Sequence, residues 1–240
     1  MKKIVITGGS GRFGTVLKNQ ASKYLMFFPS KKELDILDPK KVEKYLKKIK
    51  PHYLVHLAGL SRPMDAHIKD IKKSIDLNII GTANITKACE KNNIKLIYFS
   101  TNYVYPGIHG NYKETDSILP VNNYAWSKLG GEASVQLYKN SLILRVCMTE
   151  KPFVHKKAFA NVKTNFIYHE DIAPIIFKVL DRKGVLNIGG KIKSIFNFAR
   201  KNNKKLKKIY LKKNQKIGIP FNSSMNLKKM NFFLKKKKNN

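Results

Sequence analysis

The chain has 240 residues, of which 42% are apolar and 10% aromatic. This size and composition suit one α/β domain with at most a small appendage, and they do not suit a disordered chain. The 48 basic and 15 acidic residues give a formal net charge of +33, but the lysines are dispersed and no aromatic residues alternate with them. We therefore expect attraction of anionic small ligands and no dedicated nucleic-acid interface.

The sequence favours the cytoplasm. Its two cysteines, Cys89 and Cys147, are far apart and lack the spacing of metal ligands, which is typical of a reducing compartment. No apolar stretch reaches the roughly 20 residues that a membrane span needs. The short basic start before the first apolar run is too brief for a signal peptide.

Segments of strand and helix character alternate over the first 146 residues. Asp38 and Pro39 are typical of a helix start, since Asp caps the first backbone N–H groups and Pro fits the first helical position. The predicted strands are 3–6, 24–28, 53–57, 94–99 and 142–146. The predicted helices are 15–23, 39–49, 74–92 and 122–139. This alternation implies right-handed crossovers, and we predict an α/β fold with a doubly wound parallel sheet covered on both faces.

Beyond Cys147 the alternation weakens, and residues 149–164 have no clear periodicity. Later segments indicate two helices, 171–180 and 195–201, and a strand, 185–188. In doubly wound sheets ligands bind at the carboxyl ends of the strands. Small or hydroxyl-bearing residues follow three predicted strands here, and they are Thr7–Gly8–Gly9, Ala58–Gly59 and Ser100–Thr101.

The glycines after the first strand fit two patterns. Residues 9–14 match G-x-G-x-x-G, and residues 7–14 match T-G-x-x-G-x-x-G. Such a turn directs backbone N–H groups and a helix amino terminus at a pyrophosphate. A tight turn that only packs the helix against the strand would also explain the glycines.

Tyr124 and Lys128 form a Y-x-x-x-K pattern on a predicted helix. A spacing of four places both side chains on one face, about 6 Å apart. An ammonium group there would lower the pKa of the phenol from about 10 and make it a usable proton donor. Thr101 could give a second hydrogen bond to the same substrate oxygen. Taken alone, Tyr124 could equally cover the edge of the core.

In this order the motifs resemble the extended short-chain dehydrogenase/reductases that act on nucleotide sugars. The resemblance covers about residues 1–190 and is greatest to the dTDP-4-dehydrorhamnose reductases. The matching segments are TGGSGRFG (7–14), LDI (34–36), HLAG (56–59), NIIGT (78–82), FSTNYVYPG (99–107) and YAWSKLGGE (124–132), with PFNSSMNLKKM (220–230) as a further echo. Only the register that starts at Thr7 agrees with this family, so Gly9 is expected to be replaceable.

The resemblance implies a Rossmann fold and a division of the chain. Residues 1–148 would form the NAD(P)-binding domain. Residues 149–234 would form a small, reduced substrate lobe interleaved with the last strands and helices of the sheet, and residues 235–240 a basic tail. The segment between residues 147 and 169 is short for this family, in which it normally builds the sugar-binding lobe.

The resemblance also implies roles for individual residues. Tyr124 would protonate the carbonyl oxygen, Lys128 would hold the nicotinamide ribose and tune Tyr124, and Thr101 would orient the carbonyl. The implied cofactor contacts are Gly8, Gly11, Arg12, Phe13, Gly14, Asp35, Ile36, Leu57, Ala58, Gly59, Asn78, Tyr124 and Lys128. The implied substrate contacts are Thr101, Asn102 and Tyr103. Asn78 would in addition brace the strand ends, and the histidines are assigned no metal.

The implied reaction is the NAD(P)H-dependent reduction of a 4-keto nucleotide sugar. Residues 28–32 contain no acid to hold a free ribose 2′-hydroxyl, and Ser30 with its lysines could take a 2′-phosphate, so NADP(H) is expected in preference to NAD(H). Asn102 replaces the usual Asp, and the acids of the related dehydratases are missing, which argues against dehydration. A nucleotide-sugar 4-epimerase and a catalytically silent regulatory subunit remain alternatives. A homodimer is common in the family.

Overall fold

The computed structural model describes residues 1–212 and 218–235. The strands are β1 Lys3–Thr7, β2 Leu25–Phe27, β3 Tyr53–His56, β4 Lys95–Thr101, β5 Ser141–Val146, β6 Met148–Thr149, β7 Lys157–Phe159, β8 Lys163–Thr164, β9 Ile167–Tyr168, β10 Gly184–Ile188, β11 Lys193–Ser194 and β12 Lys207–Ile209. The helices are α1 Arg12–Lys18, α2 Pro39–Ile49, α3 Ala66–Lys69, α4 Ile71–Ile75, α5 Gly81–Lys91, α6 Asn123–Gln136, α7 His169–Val179, α8 Ile195–Ala199 and α9 Lys228–Lys235.

Six parallel strands form the central sheet in the order β10-β5-β4-β3-β1-β2. The chain first extends the sheet from β1 to β2 and then returns past β1 to place β3 on its other side. The carboxyl ends of β1 and β3 therefore flank the topological switch point, where doubly wound sheets bind ligands. This arrangement confirms the predicted Rossmann fold.

Each face of the sheet is covered by helices that bury an apolar stripe. On one face α1, α7 and α9 contribute Leu17, Ile172 and Met230 to a cluster with β1, β4 and β5. On the other face α2, α5 and α6 contribute residues such as Leu46 and Ile85. A fully buried Leu or Ile stabilises the fold by roughly 1.5–3 kcal/mol, so these two layers supply most of the driving force that holds the site's scaffold.

Two predicted helix boundaries were wrong. Helix α1 begins at Arg12, directly after Gly11, and ends at Lys18, instead of spanning 15–23. The predicted helix 74–92 is divided in the structure into the end of α4, a π-helical segment, Asp76–Ile80, and α5. Helix α3 and most of α4 come before the predicted range. The sequence pattern did not predict α3 and α4. Their isoleucines Ile68 and Ile71 are exposed, so the apolar residues of these helices do not mark a buried face.

The part after β5 is built from short strand pairs. β6 pairs with β9, β7 with β12 and β8 with β11, around a separate small core that includes Phe153, Val162 and Ile195. β10 returns to the central sheet beside β5. The predicted tail at 235–240 lies outside the described residues except for Lys235, which ends α9.

The segment before α9 folds back onto the loop that follows β4. Asn222 N donates to Gly107 O at 2.8 Å, and Asn226 N donates to Tyr112 O at 2.7 Å. These contacts bring the PFNSSMNLKKM motif to the strand ends. No helix within 1–212 or 218–235 is long and apolar enough to cross a membrane.

Candidate active site

The glycine turn lies against the end of β3. Gly8 has φ +71°, and a Cβ there would lie 2.7 Å from Ala58 N. At Gly14 a Cβ would lie 2.5 Å from Gly8 O, whereas at Gly11 it would meet only Gly8 O, at 3.1 Å. Gly8 and Gly14 are therefore required by the turn itself. At Gly11 a Cβ would meet one atom only among the described residues beyond its chain neighbours, but at less than an ordinary van der Waals distance. The backbone N–H groups of such a turn are suited to hold the pyrophosphate of a dinucleotide.

Gly9 is less replaceable than the motif register predicts. A Cβ at this position would lie 2.8 Å from the ring and 2.9 Å from the Cβ of Phe28. Because Phe28 packs against the apolar cluster of α1, it has little room to yield. The prediction that Gly9 is replaceable is corrected by this contact.

A buried histidine organises the ends of β1 and β3. His56 Nδ1 is 2.8 Å from Thr7 Oγ1, and Nε2 is 3.2 Å from Thr82 Oγ1. The Thr82 hydroxyl already donates to Asn78 O, so it accepts from Nε2–H. Burial, assisted by the charge of Lys128, lowers the pKa of His56 to about 3 and keeps the ring neutral.

Asn78 braces the loop after β3 against α6. Its Oδ1 accepts from Leu60 N at 2.7 Å, and its Nδ2 donates to Leu60 O and Ser127 Oγ, both at 2.8 Å. The Ser127 hydroxyl in turn donates to Tyr124 O at 2.8 Å. Asn78 sits in the π-helical segment, a feature frequent at functional sites. The predicted bracing contact is thus present.

Thr101 and Tyr124 meet where β4 ends and α6 begins. Burial raises the pKa of Tyr124, and the nearby Thr101 hydroxyl and the charges of Arg62 and Arg12 lower it without outweighing burial. Lys128, predicted to make the phenol more acidic, is not among the groups that shift this pKa most. The acidifying groups are the hydroxyl and the two guanidinium groups.

Lys128 lies one turn beyond Tyr124 in a nearly closed environment. Its residue exposure is 8%, and its Nζ lies 4.2 Å from the centroid of the Tyr98 ring. Burial lowers the pKa of Lys128 to about 7, although Glu132 opposes the shift. A lysine in this state gains from a hydrogen-bonding ligand, which fits the ribose hydroxyls of a nicotinamide cofactor.

Three charged residues that follow different strands meet near Tyr124. Glu150, in the loop after β6, accepts from Arg62 Nη1 at 3.0 Å and pairs with Arg12 Nη1 at 2.9 Å. Arg12 Nη2 also donates to Ser61 Oγ at 3.1 Å. The motif predicted Arg12 as a cofactor contact, but nothing in the sequence pattern indicated Arg62 or Glu150. Their ion pairs tie the glycine turn to the loop after β3.

Asn102 occupies a structural position in place of the predicted substrate contact. It is 3% exposed, and its Nδ2 donates to Ser223 Oγ at 2.8 Å, with longer contacts to Ser223 O and Thr164 Oγ1. Its neighbour Tyr103 is half-buried, and burial raises the pKa of its phenol. The substrate contact predicted for Tyr103 stays a prediction.

Several predicted cofactor residues turn their side chains into the core. The Phe13 ring packs against Phe99 at 5.4 Å, and Ile36 belongs to the apolar cluster beside α2. Any contact from these residues must come from their backbone. Asp35 is half-buried and its Oδ1 accepts from Leu37 N at 3.0 Å. Leu57 and Ala58 are partly exposed at the end of β3, as expected.

A buried ion pair joins α6, which carries Tyr124 and Lys128, to the central sheet. Glu132 and Arg145 join at 2.6 Å, with side-chain exposures of 5% and 6%. Ser100 Oγ donates to Glu132 Oε2 at 2.5 Å, and Arg145 Nη1 donates to Tyr105 Oη at 2.9 Å. Sequence reasoning missed this pair, because Arg145 lies within an apolar strand run.

Three of the six histidines and both cysteines are buried. His56, His67 and His169 are each at most 6% exposed, whereas His52, His109 and His155 are exposed. Both cysteines are free, and burial raises the pKa of Cys147 to about 12. Within the described ranges no group of three or more His, Cys, Asp or Glu side chains could hold a metal ion.

Comparison with known families agrees with this geometry. Residues 1–163 match the model described as "RmlD substrate binding domain". The chain belongs to the RmlD substrate-binding domain family. The match includes the glycine turn, Thr101, Tyr124 and Lys128.

Two curated relatives of the chain have different functions in their names. The dTDP-4-dehydrorhamnose reductase of Aggregatibacter actinomycetemcomitans is 29% identical over 154 residues, 62% of this chain and 52% of the relative. The methionine adenosyltransferase 2 subunit beta of Pongo abelii is 27% identical over 143 residues, 56% of this chain and 42% of the relative. The chain thus spans about half the length of the curated relatives it matches.

The fold of this RmlD family member also matches a solved structure. The dTDP-4-dehydrorhamnose reductase of Bacillus anthracis, crystallised in complex with NADP, superposes with a TM-score of 0.86. The alignment covers 97% of this chain and 92% of the other at 24% identity. At this identity the likeness shows a shared fold.

Proposed function

We propose that this protein is an oxidoreductase that uses NAD(P)H to reduce a 4-keto nucleotide sugar. The observation that carries the proposal is the meeting of Thr101 with Tyr124, with Lys128 one helical turn away, beside a glycine turn at the switch point. The dTDP-4-dehydrorhamnose reductases among the relatives support the same reaction class.

Each residue has a defined task in the proposed reaction. A bound NAD(P)H supplies the hydride. Tyr124 gives its phenolic proton to the carbonyl oxygen, and Thr101 holds that oxygen by a hydrogen bond. Arg12 and Arg62 stabilise the tyrosinate that remains, since their charges lower the pKa of Tyr124. Lys128 binds the ribose hydroxyls, and the glycine turn receives the pyrophosphate.

NADP(H) remains the proposed cofactor in preference to NAD(H). The NADP complex of the Bacillus anthracis structure and the neighbouring Lys31 and Lys32 support this choice. Ser30, however, donates from both N and Oγ to Glu33 Oε2 at 2.8 Å. A 2′-phosphate would have to displace Glu33 from Ser30. Glu33→Gln is therefore expected to strengthen NADPH binding more than NADH binding, as titration of cofactor fluorescence would measure.

Two alternatives share the same scaffold. A nucleotide-sugar 4-epimerase would use the same three side chains and retain its cofactor. A catalytically silent subunit is favoured by one specific observation, the likeness to methionine adenosyltransferase 2 subunit beta. We also propose a homodimer and a reducing, cytoplasmic setting, in accord with the two free cysteines. A nucleic-acid binder ranks behind these alternatives.

A screen of 4-keto sugar nucleotides against NADPH consumption tests the proposal. Purified protein should oxidise NADPH with at least one of them, and Tyr124→Phe should lower turnover by about two orders of magnitude while cofactor affinity stays unchanged. Interconversion of two sugars without net NADPH loss would identify the epimerase. Cofactor binding without any turnover would favour the silent subunit, and full activity of Tyr124→Phe would remove Tyr124 from its role.

A further inference from the structure

His67 lies against the ring of Tyr124 and has no role in the proposed reaction so far. The two ring centroids are 5.2 Å apart with an interplanar angle of 59°. His67 is 1% exposed and belongs to α3, a helix that the sequence pattern did not indicate. Tyr124 therefore takes part of its packing surface from a polar ring.

Two hydrogen bonds hold His67 in this place. Its Nδ1 lies 2.7 Å from Ser74 Oγ on α4, and its carbonyl oxygen accepts from Asn123 Nδ2 at 3.1 Å. Asn123 directly precedes Tyr124 at the start of α6. The ring and the backbone of His67 are thus both fixed relative to Tyr124, and the phenol has a rigid wall on one side.

The second ring nitrogen has no such partner. Among residues 1–212 and 218–235, His67 Nε2 is the one buried side-chain nitrogen or oxygen without a hydrogen bond of good geometry. Burial lowers the pKa of His67, and the charge of Lys128 adds to this effect, while the Ser61 backbone opposes it. The ring is therefore neutral. An unsatisfied buried polar atom destabilises a fold, and the hydrogen bond between Nδ1 and Ser74 leaves this cost at Nε2 in place.

We propose that His67 is a positioning residue for Tyr124, whose ring fixes the direction of the phenol and whose Nε2 takes its hydrogen-bond partner from a hydroxyl of the sugar ligand. The inference rests on the proposed function, because it is this function that brings a sugar to Tyr124. A small rotation of the Tyr124 ring on ligand entry would open the path to Nε2.

The test compares His67→Phe, which keeps an aromatic wall without the nitrogen, with His67→Gln, which keeps a polar group near the position of Nε2. We expect His67→Phe to lower kcat by 10- to 100-fold, since a misplaced reacting group has effects of this size. Loss of the hydrogen bond to Ser74 should lower its Tm slightly, and its NADPH affinity should be unchanged. His67→Gln should recover at least part of kcat.

The inference would be overturned if His67→Phe had the same kcat as the unmodified protein, or if the kcat of His67→Gln were as low as that of His67→Phe. A parallel loss of Tm and NADPH affinity would also overturn it and assign His67 to packing alone. If no sugar nucleotide is turned over, the proposed function fails.

NMR of the protein with tyrosine labelled with ¹³C at Cζ then tests whether His67 positions Tyr124. The chemical shift of the Tyr124 resonance, assigned with Tyr124→Phe, should change in His67→Phe and stay unchanged in the control His109→Phe, where the histidine is exposed. An unmoved resonance rejects positioning as well.

Discussion

Gly11 and Gly14 belong to the same turn but meet different surroundings. A methyl group at Gly14 would overlap the backbone of Gly8 and Gly9, whereas at Gly11, where the backbone has φ −73°, it would meet only Gly8 O, at 3.1 Å. The two glycines share a motif for different physical reasons. Gly14 lets helix α1 pack onto the turn, and Gly11 leaves room for a ligand.

Substitutions at these glycines should therefore separate folding from binding. Gly11→Val is expected to keep the circular dichroism of the folded protein, to lower the Tm only slightly through its contact with Gly8 O, and to abolish NADPH binding, because the side chain enters the ligand's space. Gly14→Ala is expected to lower the free energy of unfolding by about 1–3 kcal/mol through overpacking. Denaturant titration and cofactor fluorescence measure the two effects. Retained NADPH binding in Gly11→Val would reject the assigned pyrophosphate position.

The buried lysine makes stability depend on pH. Lys128 has a folded pKa of about 7, below its ordinary value of 10.5, so between these values the unfolded chain binds the extra proton. The free energy of unfolding should thus rise with pH from about 7 to 10.5, and the full penalty for charging Lys128 applies below pH 7. Lys128→Met should stabilise the protein by roughly 2–4 kcal/mol at pH 6.

The advantage of Lys128→Met should vanish above pH 10.5, where the lysine is neutral in both states. Urea titrations at pH 6, 8 and 10 would follow it. Lys87→Met provides a control at a helical lysine that is not buried. A stabilisation of equal size at every pH would show that the methionine acts through packing and that Lys128 carries no charging penalty.

At the scale of single residues, the sequence predicts what motifs encode. Thr101, Tyr124 and Lys128 follow from spacing within one strand end and one helix. His67, Arg62 and Glu150 do not, because they reach the site from loops whose course depends on tertiary packing. Asn102 is the opposite case. Its place in a motif predicted a substrate contact, but its side-chain amide donates a hydrogen bond to Ser223 in the carboxyl-terminal segment.

At the scale of elements, α6 links the catalytic face to the sheet through Glu132. The Glu132–Arg145 pair joins this helix to β5, and Ser100 joins it to β4. Strands β1, β3, β4 and β5 were predictable because each is a short apolar run between turn signals. Helices α3 and α4 were not, because their exposed isoleucines remove the amphipathic pattern.

Loss of one partner should disturb α6 more than loss of both. Glu132→Met leaves the Arg145 guanidinium buried without its carboxylate and is expected to reduce the free energy of unfolding by about 3–5 kcal/mol. The double variant Glu132→Met/Arg145→Met should recover part of that loss, since no charge remains buried. A double-mutant cycle in urea provides the measurement. Additive losses would show that the two side chains act independently.

At the scale of the whole molecule, the net charge of +33 causes repulsion between cations that the ion pairs of the fold only partly offset. Acidic side chains are recruited into ion pairs, as Glu43 is by Lys47 and Lys91 at 2.8 and 2.7 Å. With 15 acids for 48 bases, most cations stay without a carboxylate. Their mutual repulsion destabilises the compact state. It also raises the local concentration of anionic ligands around the cleft.

Salt should therefore stabilise this protein. Screening acts over about 8 Å at 0.15 M ionic strength, so raising NaCl from 10 to 200 mM weakens the repulsion between exposed lysines. We expect the Tm to rise by about 2–5 °C over this range. Replacing the exposed Lys204 and Lys205 by Glu should raise the Tm at 10 mM NaCl and flatten its salt dependence. A Tm that falls with NaCl would mean that the ion pairs outweigh the repulsion, and the excess charge would then have to be explained by its effect on ligand capture alone.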